Sequence, residues 1–152
     1  MTKAIIFDWG RTLYDPERSR LFPETKSVLA NLSKKYKLAI VSLVSEGTVT
    51  DRSKLLKAQG VDRYLSSVMF SPLQKNTSYV GTLRKLKVRP REVAIVDDRV
   101  VRGIRWGNRY GCITVWLRRG KFKDELPTND VDSPMFTIMN LNELLAILAN
   151  SH

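Results

Sequence analysis

The stretch IIFDWGRTLYD, Ile5 to Asp15, decides how this chain is read. An apolar run ends abruptly in an acid, Asp8, and a glycine, Gly10, follows two positions later. Lys3 to Phe7 is therefore expected to be a short strand that delivers Asp8 at its carboxyl end. The same shape recurs along the chain as LAIVS (Leu38 to Ser42), as VAIV (Val93 to Val96) running into Asp97 and Asp98, and as CITVWL (Cys112 to Leu117). Ser67 to Phe70 and Phe136 to Ile138 are weaker runs of the same type. These segments are apolar throughout rather than alternating, which is the pattern of a parallel sheet covered on both faces.

Helical patterns fall between the strands. Pro23 to Tyr36 places Val28, Leu29 and Leu32 on one face, with proline at the start, where it is tolerated. Thr50 to Gln59 turns Leu55 and Leu56 inward and stops at Gly60. Asn76 to Leu86 carries Tyr79, Val80, Leu83 and Leu86. Arg99 to Tyr110 ends at Gly111, and Leu141 to Ala149 closes the chain. Strand and helix alternate, so the expectation is a single doubly wound, Rossmann-like α/β domain over residues 1–152 with a parallel sheet. A basic loop, 118–133, and a C-terminal helix, 141–149, belong to it.

A chain of 152 residues can bury a core without disulfides or a structural metal. Cys112 is its one cysteine, which excludes a disulfide framework and favours a reducing compartment, the cytoplasm. The apolar run before Asp8 is too short for a signal peptide, and Leu38 to Val44 is far too short to span a membrane.

Charge is the unusual quantity: 26 Lys and Arg face 15 Asp and Glu, for a net +11. Between Arg84 and Lys123 stand 13 basic residues and only three acidic ones, so nearly all the excess lies in one quarter of the chain. A clustered basic field suits anionic partners such as phosphorylated substrates, nucleic acid or an acidic surface. On a regular helix Arg99, Arg102, Arg105 and Arg109 fall within an arc of about 120°, with Trp106 among them. Two readings stand: a solvated helix face, or an anion-binding stripe for nucleic acid or another polyanion. Arg118, Arg119, Lys121 and Lys123 form a second basic cluster, interleaved with Trp116 and Phe122.

In open α/β sheets ligands bind beyond the carboxyl ends of the strands. There this chain offers Asp8, Ser42, Asp97 and Asp98, a set of carboxylates and a hydroxyl that suits a hard cation and a phosphate. With this set the sequence resembles the haloacid dehalogenase (HAD) superfamily. Its four motifs appear in order as IIFDWGRTLYD, as LAIVS, as QKNTSYVGTLRKL around Lys75, and as VAIVDDRVVRGIRWGNRYG with Gly103 and Gly111 downstream. The resemblance covers residues 3 to 117.

The resemblance implies an Mg²⁺-dependent phosphohydrolase or phosphotransferase acting on a phosphorylated substrate. It implies that Asp8 is the nucleophile that forms an aspartyl-phosphate and also a metal ligand, with the Gly10 carbonyl as a second ligand. Asp97 and Asp98 are implied as the acidic pair, one on the metal and the other on water or on Lys75. Ser42 is implied as a phosphate ligand, Lys75 as the cation that screens nucleophile and phosphate, and Thr12 as the residue that shapes the loop after the strand.

Two features depart from the pattern. Phosphatases of the superfamily place a second Asp, the general acid/base, two residues after the nucleophile, and here that position is Gly10. General acid/base catalysis contributes about 10²–10⁴-fold, so hydrolysis is expected to be slow unless the leaving group is good. The spacings from Asp8 to Ser42 and from Ser42 to Lys75, 34 and 33 positions, leave no room for a cap domain, only for a flap at Tyr14 to Leu21. A capless frame admits a large, macromolecular or nucleotide-like phosphate ester. Two further functions stay open from sequence: a catalytically degenerate module that binds Mg²⁺ and phosphate, and a basic nucleic-acid-binding protein on the same fold.

Overall fold

All four residues of β1 (Ala4–Phe7) are buried, because this strand occupies the middle of the sheet. The computed structural model describes residues 1–44, 48–72 and 75–150. Two short strands, β2 (Tyr14–Asp15) and β3 (Arg20–Leu21), follow β1. The others are β4 (Lys37–Leu43), β5 (Ser67–Ser71), β6 (Val93–Asp97), β7 (Ile113–Leu117) and β8 (Phe136–Ile138). Six of them form one parallel sheet in the order β5-β4-β1-β6-β7-β8. The chain leaves β1 for β4 on one side and later returns to β6 on the other, which opens a crevice at the carboxyl end of β1.

Alternate residues of the central strands feed two cores. Ile5, Phe7, Leu38, Ile40, Ala94 and Val96 pack on one face with Val28, Leu29 and Leu32 of α1 (Thr25–Ser33). Leu56 of α2 (Val49–Ala58) and Leu144 and Leu148 of α5 (Leu144–Asn150) join that face. Ala4, Ile6, Ala39, Val41, Val93 and Ile95 pack on the other face under Tyr79, Leu83 and Leu86 of α3 (Asn76–Leu86). Trp106 of α4 (Arg105–Tyr110) and Cys112, a free buried thiol, complete it. The doubly wound α/β expectation therefore holds. Among the described residues no helix is long and apolar enough to cross a membrane.

Three local expectations change. The flap at Tyr14 to Leu21 is a small antiparallel hairpin of β2 and β3. The C-terminal helix is split into a 3-10 turn at Leu141–Glu143 and α5. The expected helix Arg99 to Tyr110 is also split: Arg99 is extended, Val100–Ile104 is a π-helical turn, and only then does α4 begin. The wide turn has a cause. The Asp97 carboxylate accepts the backbone N–H groups of Arg99 (3.1 Å) and Gly103 (2.9 Å), and Glu125 accepts that of Val100 (2.6 Å), so side chains replace the regular ladder.

That turn corrects the arginine stripe. Arg99 leaves it, paired with Glu125 at 2.8 Å and lying 3.8 Å over the Phe122 ring. Arg105 is held in a two-pronged bond by the fully buried Asp132, at 2.6 and 2.9 Å. Only Arg102 and Arg109 remain exposed. The basic loop 118–133 is likewise anchored. Asn108 donates to the carbonyls of Val131 and Ser133, Arg119 pairs with the buried Glu24, and Thr128 bonds Asp132.

Asp132 gives a pH test. The bond from Arg105 holds its carboxyl well below the usual range, burial opposes this, and Thr128 adds to it. A depressed folded pKa contributes stability that is complete above the unfolded value, about 3.9, and fades as pH falls through the folded one. Asp132→Asn should therefore cost about 1–3 kcal/mol near neutral pH. The gap to wild type should close as the pH falls below 4, measured by urea denaturation. A gap that is constant across that range would contradict this account of the anchor.

Candidate active site

The strand register brings the four motifs to one point. Phe7 pairs with Ile40 and with Val96, so Asp8 leaves β1 beside the end of β4, which carries Ser42, and the end of β6, which carries Asp97. Asp98 is the next residue, and Lys75 stands at the N-terminus of α3. The Ser42 hydroxyl donates to Asp8 Oδ1 at 2.8 Å. The Lys75 ammonium donates to the same oxygen at 3.3 Å and to Asp97 Oδ2 at 2.9 Å. Carboxylate oxygens of Asp8, Asp97 and Asp98 all lie within 4.8 Å of one another.

Three acids and one ammonium in a nearly dry site give unequal electrostatics. Burial raises the Asp8 carboxyl, Lys75 lowers it, Asp97 raises it again, and the balance is upward. Burial works against the Lys75 charge, but Asp8 and Asp97 more than offset it, so the ammonium is held well above its usual value. Asp97 is buried too, yet Lys75 and the N–H of Arg99 keep it below the usual range. Asp98 has no ammonium of its own. Burial, Asp8 and Asp97 push it up to about 10. An excess of negative charge that one carboxyl must quench with a proton is the donor set of a hard divalent cation. The Asp8 and Asp98 carboxylates fit such an ion, whereas both oxygens of Asp97 already accept N–H groups.

The loop after β1 shapes the mouth. The Trp9 carbonyl accepts the N–H groups of Leu13 and Tyr14, and Arg11 takes a left-handed conformation at φ 63°. Thr12 is buried, and its carbonyl accepts from Arg119. A cavity of about 110 Å³ opens over the carboxylates, lined by Asp8, Gly10, Ser42, Asp98, Arg102 and Phe122 among others. Tyr14 stacks on Trp9 with ring centroids 5.3 Å apart, and Phe122 stands between Arg11 and Arg99. The hairpin and the basic loop are thus the site's rim. At Gly10 a Cβ would meet nothing within 4 Å.

The strand-end residues Asp8, Ser42, Asp97 and Asp98 and the helix-start Lys75 all converge. Sequence reasoning named Gly103, Tyr79 and Trp116 but not the contacts by which they hold the site. At Gly103 a Cβ would lie 2.6 Å from Asp97 Oδ2 and 2.8 Å from the Tyr79 hydroxyl. Tyr79, one helical turn after Lys75, lies under the ammonium at 5.6 Å and stacks on Trp106 at 4.5 Å. Trp116 Nε1 donates to the Asp98 carbonyl at 2.9 Å. The i, i+4 spacing of Lys75 and Tyr79 was a usable signal. Nothing in the sequence marks the contact of Trp116.

A sequence model of the family described as mitochondrial PGP phosphatase matches residues 1–121. The chain belongs to that family. The matched segment includes Asp8, Gly10, Ser42, Lys75, Asp97 and Asp98. A curated relative, the glyceraldehyde 3-phosphate phosphatase of Methanopyrus kandleri, is 43% identical over 70 residues. That match spans 46% of this chain and 30% of the relative's length. Among solved structures, a HAD phosphatase from Thermococcus onnurineus is 27% identical, with a TM-score of 0.69 over 84% of this chain and 58% of its own. The 2-haloacid dehalogenase from Pseudomonas syringae superposes with a TM-score of 0.80 over 100% of both chains at 14% identity. The HAD-hydrolase YfnB from Bacillus subtilis, a structure bound to magnesium, gives 0.78 over 97% of this chain and 98% of its own, at 15% identity.

Two glycines of the site separate by packing. Gly103→Ala drives a methyl against Asp97 and Tyr79 and should destabilise the protein by about 1–3 kcal/mol. Gly10→Ala enters open space and should stay within about 1 kcal/mol of wild type. Chemical denaturation of both variants checks this, and equal effects would contradict the placement of Gly103.

Proposed function

We propose that the chain is an Mg²⁺-dependent phosphate-monoester hydrolase that works through Asp8. The observation that carries the reading is the shared hold on Asp8 Oδ1 by Ser42 and Lys75, beside the Asp97–Asp98 pair. Membership of the mitochondrial PGP phosphatase family supports it, as does the likeness to a phosphatase of known name.

In this reading the Asp8 carboxylate attacks phosphorus in line with the ester oxygen. A P–O bond forms to Asp8, the P–O bond to the leaving group breaks, and the leaving oxygen takes a proton from solvent. Water then attacks the aspartyl-phosphate at phosphorus, releasing inorganic phosphate and restoring Asp8. Lys75 spreads positive charge over nucleophile and phosphoryl oxygens, which is needed because both reactants are anions. Ser42 orients Asp8 and, with substrate bound, donates to a phosphoryl oxygen. Asp97 is the positioning residue for Lys75, since both its oxygens are taken by N–H groups or the ammonium. Asp8, Asp98 and the Gly10 carbonyl are the residues that would hold the metal. When bound, Mg²⁺ neutralises the charge that develops on the phosphoryl oxygens.

Gly10 leaves the leaving group without a protein acid. The rate should therefore depend steeply on leaving-group acidity, with aryl phosphates turned over much faster than alkyl phosphates. The free, buried Cys112 suits a reducing compartment, and the reading assigns the enzyme to the cytoplasm.

Asp8→Asn should abolish Mg²⁺-dependent hydrolysis of p-nitrophenyl phosphate. Gly10→Asp should raise kcat on an alkyl phosphate by about 10²–10⁴-fold while changing p-nitrophenyl phosphate turnover far less. Turnover that survives in Asp8→Asn would sink the nucleophile. Wild type that is inert on both esters, yet stabilised by Mg²⁺ and phosphate in a melting assay, would favour the degenerate binding module that Gly10 also permits.

A further inference from the structure

The last strand of the sheet, β8, is an edge. It pairs with β7 in the register Val115–Phe136, Trp116–Thr137 and Leu117–Ile138. The carbonyl of Ile138 accepts from the N–H of Arg118, so it points inward to the end of β7. Backbone groups alternate in direction along a strand, so the N–H and C=O of Thr137 point outward. Among the described residues no strand lies beyond them.

Open edges are commonly guarded by charged side chains, lysine above all. Here that guard is missing. Residues 133–150 carry one charged side chain, Glu143, in a chain whose charged fraction is 27%. Its carboxylate is occupied, accepting the N–H groups of Met139 and Asn140 at 2.7 and 2.9 Å. Met135 and Met139 flank the strand, 58% and 60% exposed. With Thr137 between them they fall at two-residue spacing, on one face. The other face, Phe136 and Ile138, turns into the core. Round the edge, Leu145 of α5 is 42% exposed, and an apolar groove of about 300 Å³ is lined by Phe136, Ala146, Ile147 and Asn150.

Charge and symmetry constrain what can cover this edge. The chain carries a net +11, so copies of it repel one another in general. On this nearly uncharged face that repulsion is least. The segment is also self-complementary in antiparallel register about Thr137. Thr137 meets Thr137 of the partner subunit as a hydrogen-bonded pair, exchanging both outward N–H and C=O groups. Met135 then lies across from Met139 of the partner subunit at each end, and Phe136 across from Ile138 of the partner subunit. This is a two-fold contact, in which one patch serves both copies.

We propose that β8 is a homodimer interface, where two copies pair antiparallel about Thr137 and join their six-stranded sheets into one. Met135, Met139 and Leu145 form the apolar seal around the two backbone bonds. Because the pairing is antiparallel, the two Asp8 sites open at opposite ends of the joined sheet.

Sedimentation equilibrium and oxidative cross-linking test the proposal. At about 100 μM, well above a micromolar Kd, wild type should sediment with twice the mass of one chain. Met139→Lys puts a charge on the exposed face, and Thr137→Pro removes an outward N–H but no bond to β7. Each should sediment as a single chain with an unchanged circular dichroism spectrum. Cysteines read the register. A hydrogen-bonded antiparallel pair has a Cα separation of about 5.5 Å, within reach of a disulfide. Thr137→Cys should therefore cross-link to itself under mild oxidation. Met135→Cys should not, but it should cross-link to Met139→Cys when the two variants are mixed. The native Cys112 is buried and adds no cross-link. Wild type of single-chain mass at that concentration would overturn the proposal and leave the edge to a different partner. So would a dimer that persists in both Met139→Lys and Thr137→Pro, since the copies then meet elsewhere. Met135→Cys that cross-links to itself as readily as Thr137→Cys would contradict the register and overturn the pairing.

Discussion

One buried carboxylate organises this molecule. Asp97 is fully shielded from solvent, and three N–H donors close on it: the Lys75 ammonium and the backbone groups of Arg99 and Gly103. A buried charge is costly unless every such partner is present, so the chain around it is forced to supply them. Lys75 reaches Asp97 because α3 starts there, and from that position it also meets Asp8. The extended Arg99 and the π-helical turn after it aim two N–H groups back at Asp97. Gly103 is glycine because any side chain would strike Asp97 and Tyr79. Asp8, the Lys75 ammonium and the Asp97–Asp98 pair are thus fixed by one electrostatic requirement.

The same turn sorts the basic charge. By making Arg99 extended and advancing α4, it sends Arg99 to Glu125 and Arg105 to Asp132, and so ties down the loop after β7. The loop in turn carries Phe122 to the rim of the cavity over Asp8 and Asp98. A two-stranded hairpin and an anchored loop together build that rim. Of the four arginines in this segment, Arg102 and Arg109 stay exposed and line a neighbouring cleft. What looks like a single arginine stripe in the sequence is, in three dimensions, half structural, since Arg99 and Arg105 are paired with acids.

How much of this the sequence discloses depends on the range of the interaction. The strands were legible because residues such as Ile5, Ile6, Ile95 and Val96 are buried on both faces and leave an uninterrupted apolar run. Asp8, Ser42, Asp97 and Asp98 were legible because polar residues interrupt those runs at their carboxyl ends, and Lys75 because it opens a helix in the expected order. The π-helical turn was not, since one of the bonds that widen it comes from Glu125, 25 residues later in the chain. The anchoring of Arg105 and Arg119 was hidden for the same reason: Asp132 and Glu24 look like ordinary loop and helix-start acids until the chain folds. Helical periodicity put four arginines on one face, but it presupposes a regular helix, and Asp97 prevents one there.

The central claim is that Asp8, held by Ser42 and Lys75 beside Asp98, is the residue that accepts the phosphoryl group. Beryllofluoride with Mg²⁺ mimics a phosphoryl group on a carboxylate, and a crystal structure of the protein grown with both tests the claim most directly. The account predicts beryllium bonded to an Asp8 oxygen, a fluoride within hydrogen-bond reach of Ser42 and Lys75, and Mg²⁺ shared by Asp8 and Asp98. Beryllium bonded to another residue, or Mg²⁺ bound away from these carboxylates, would contradict it.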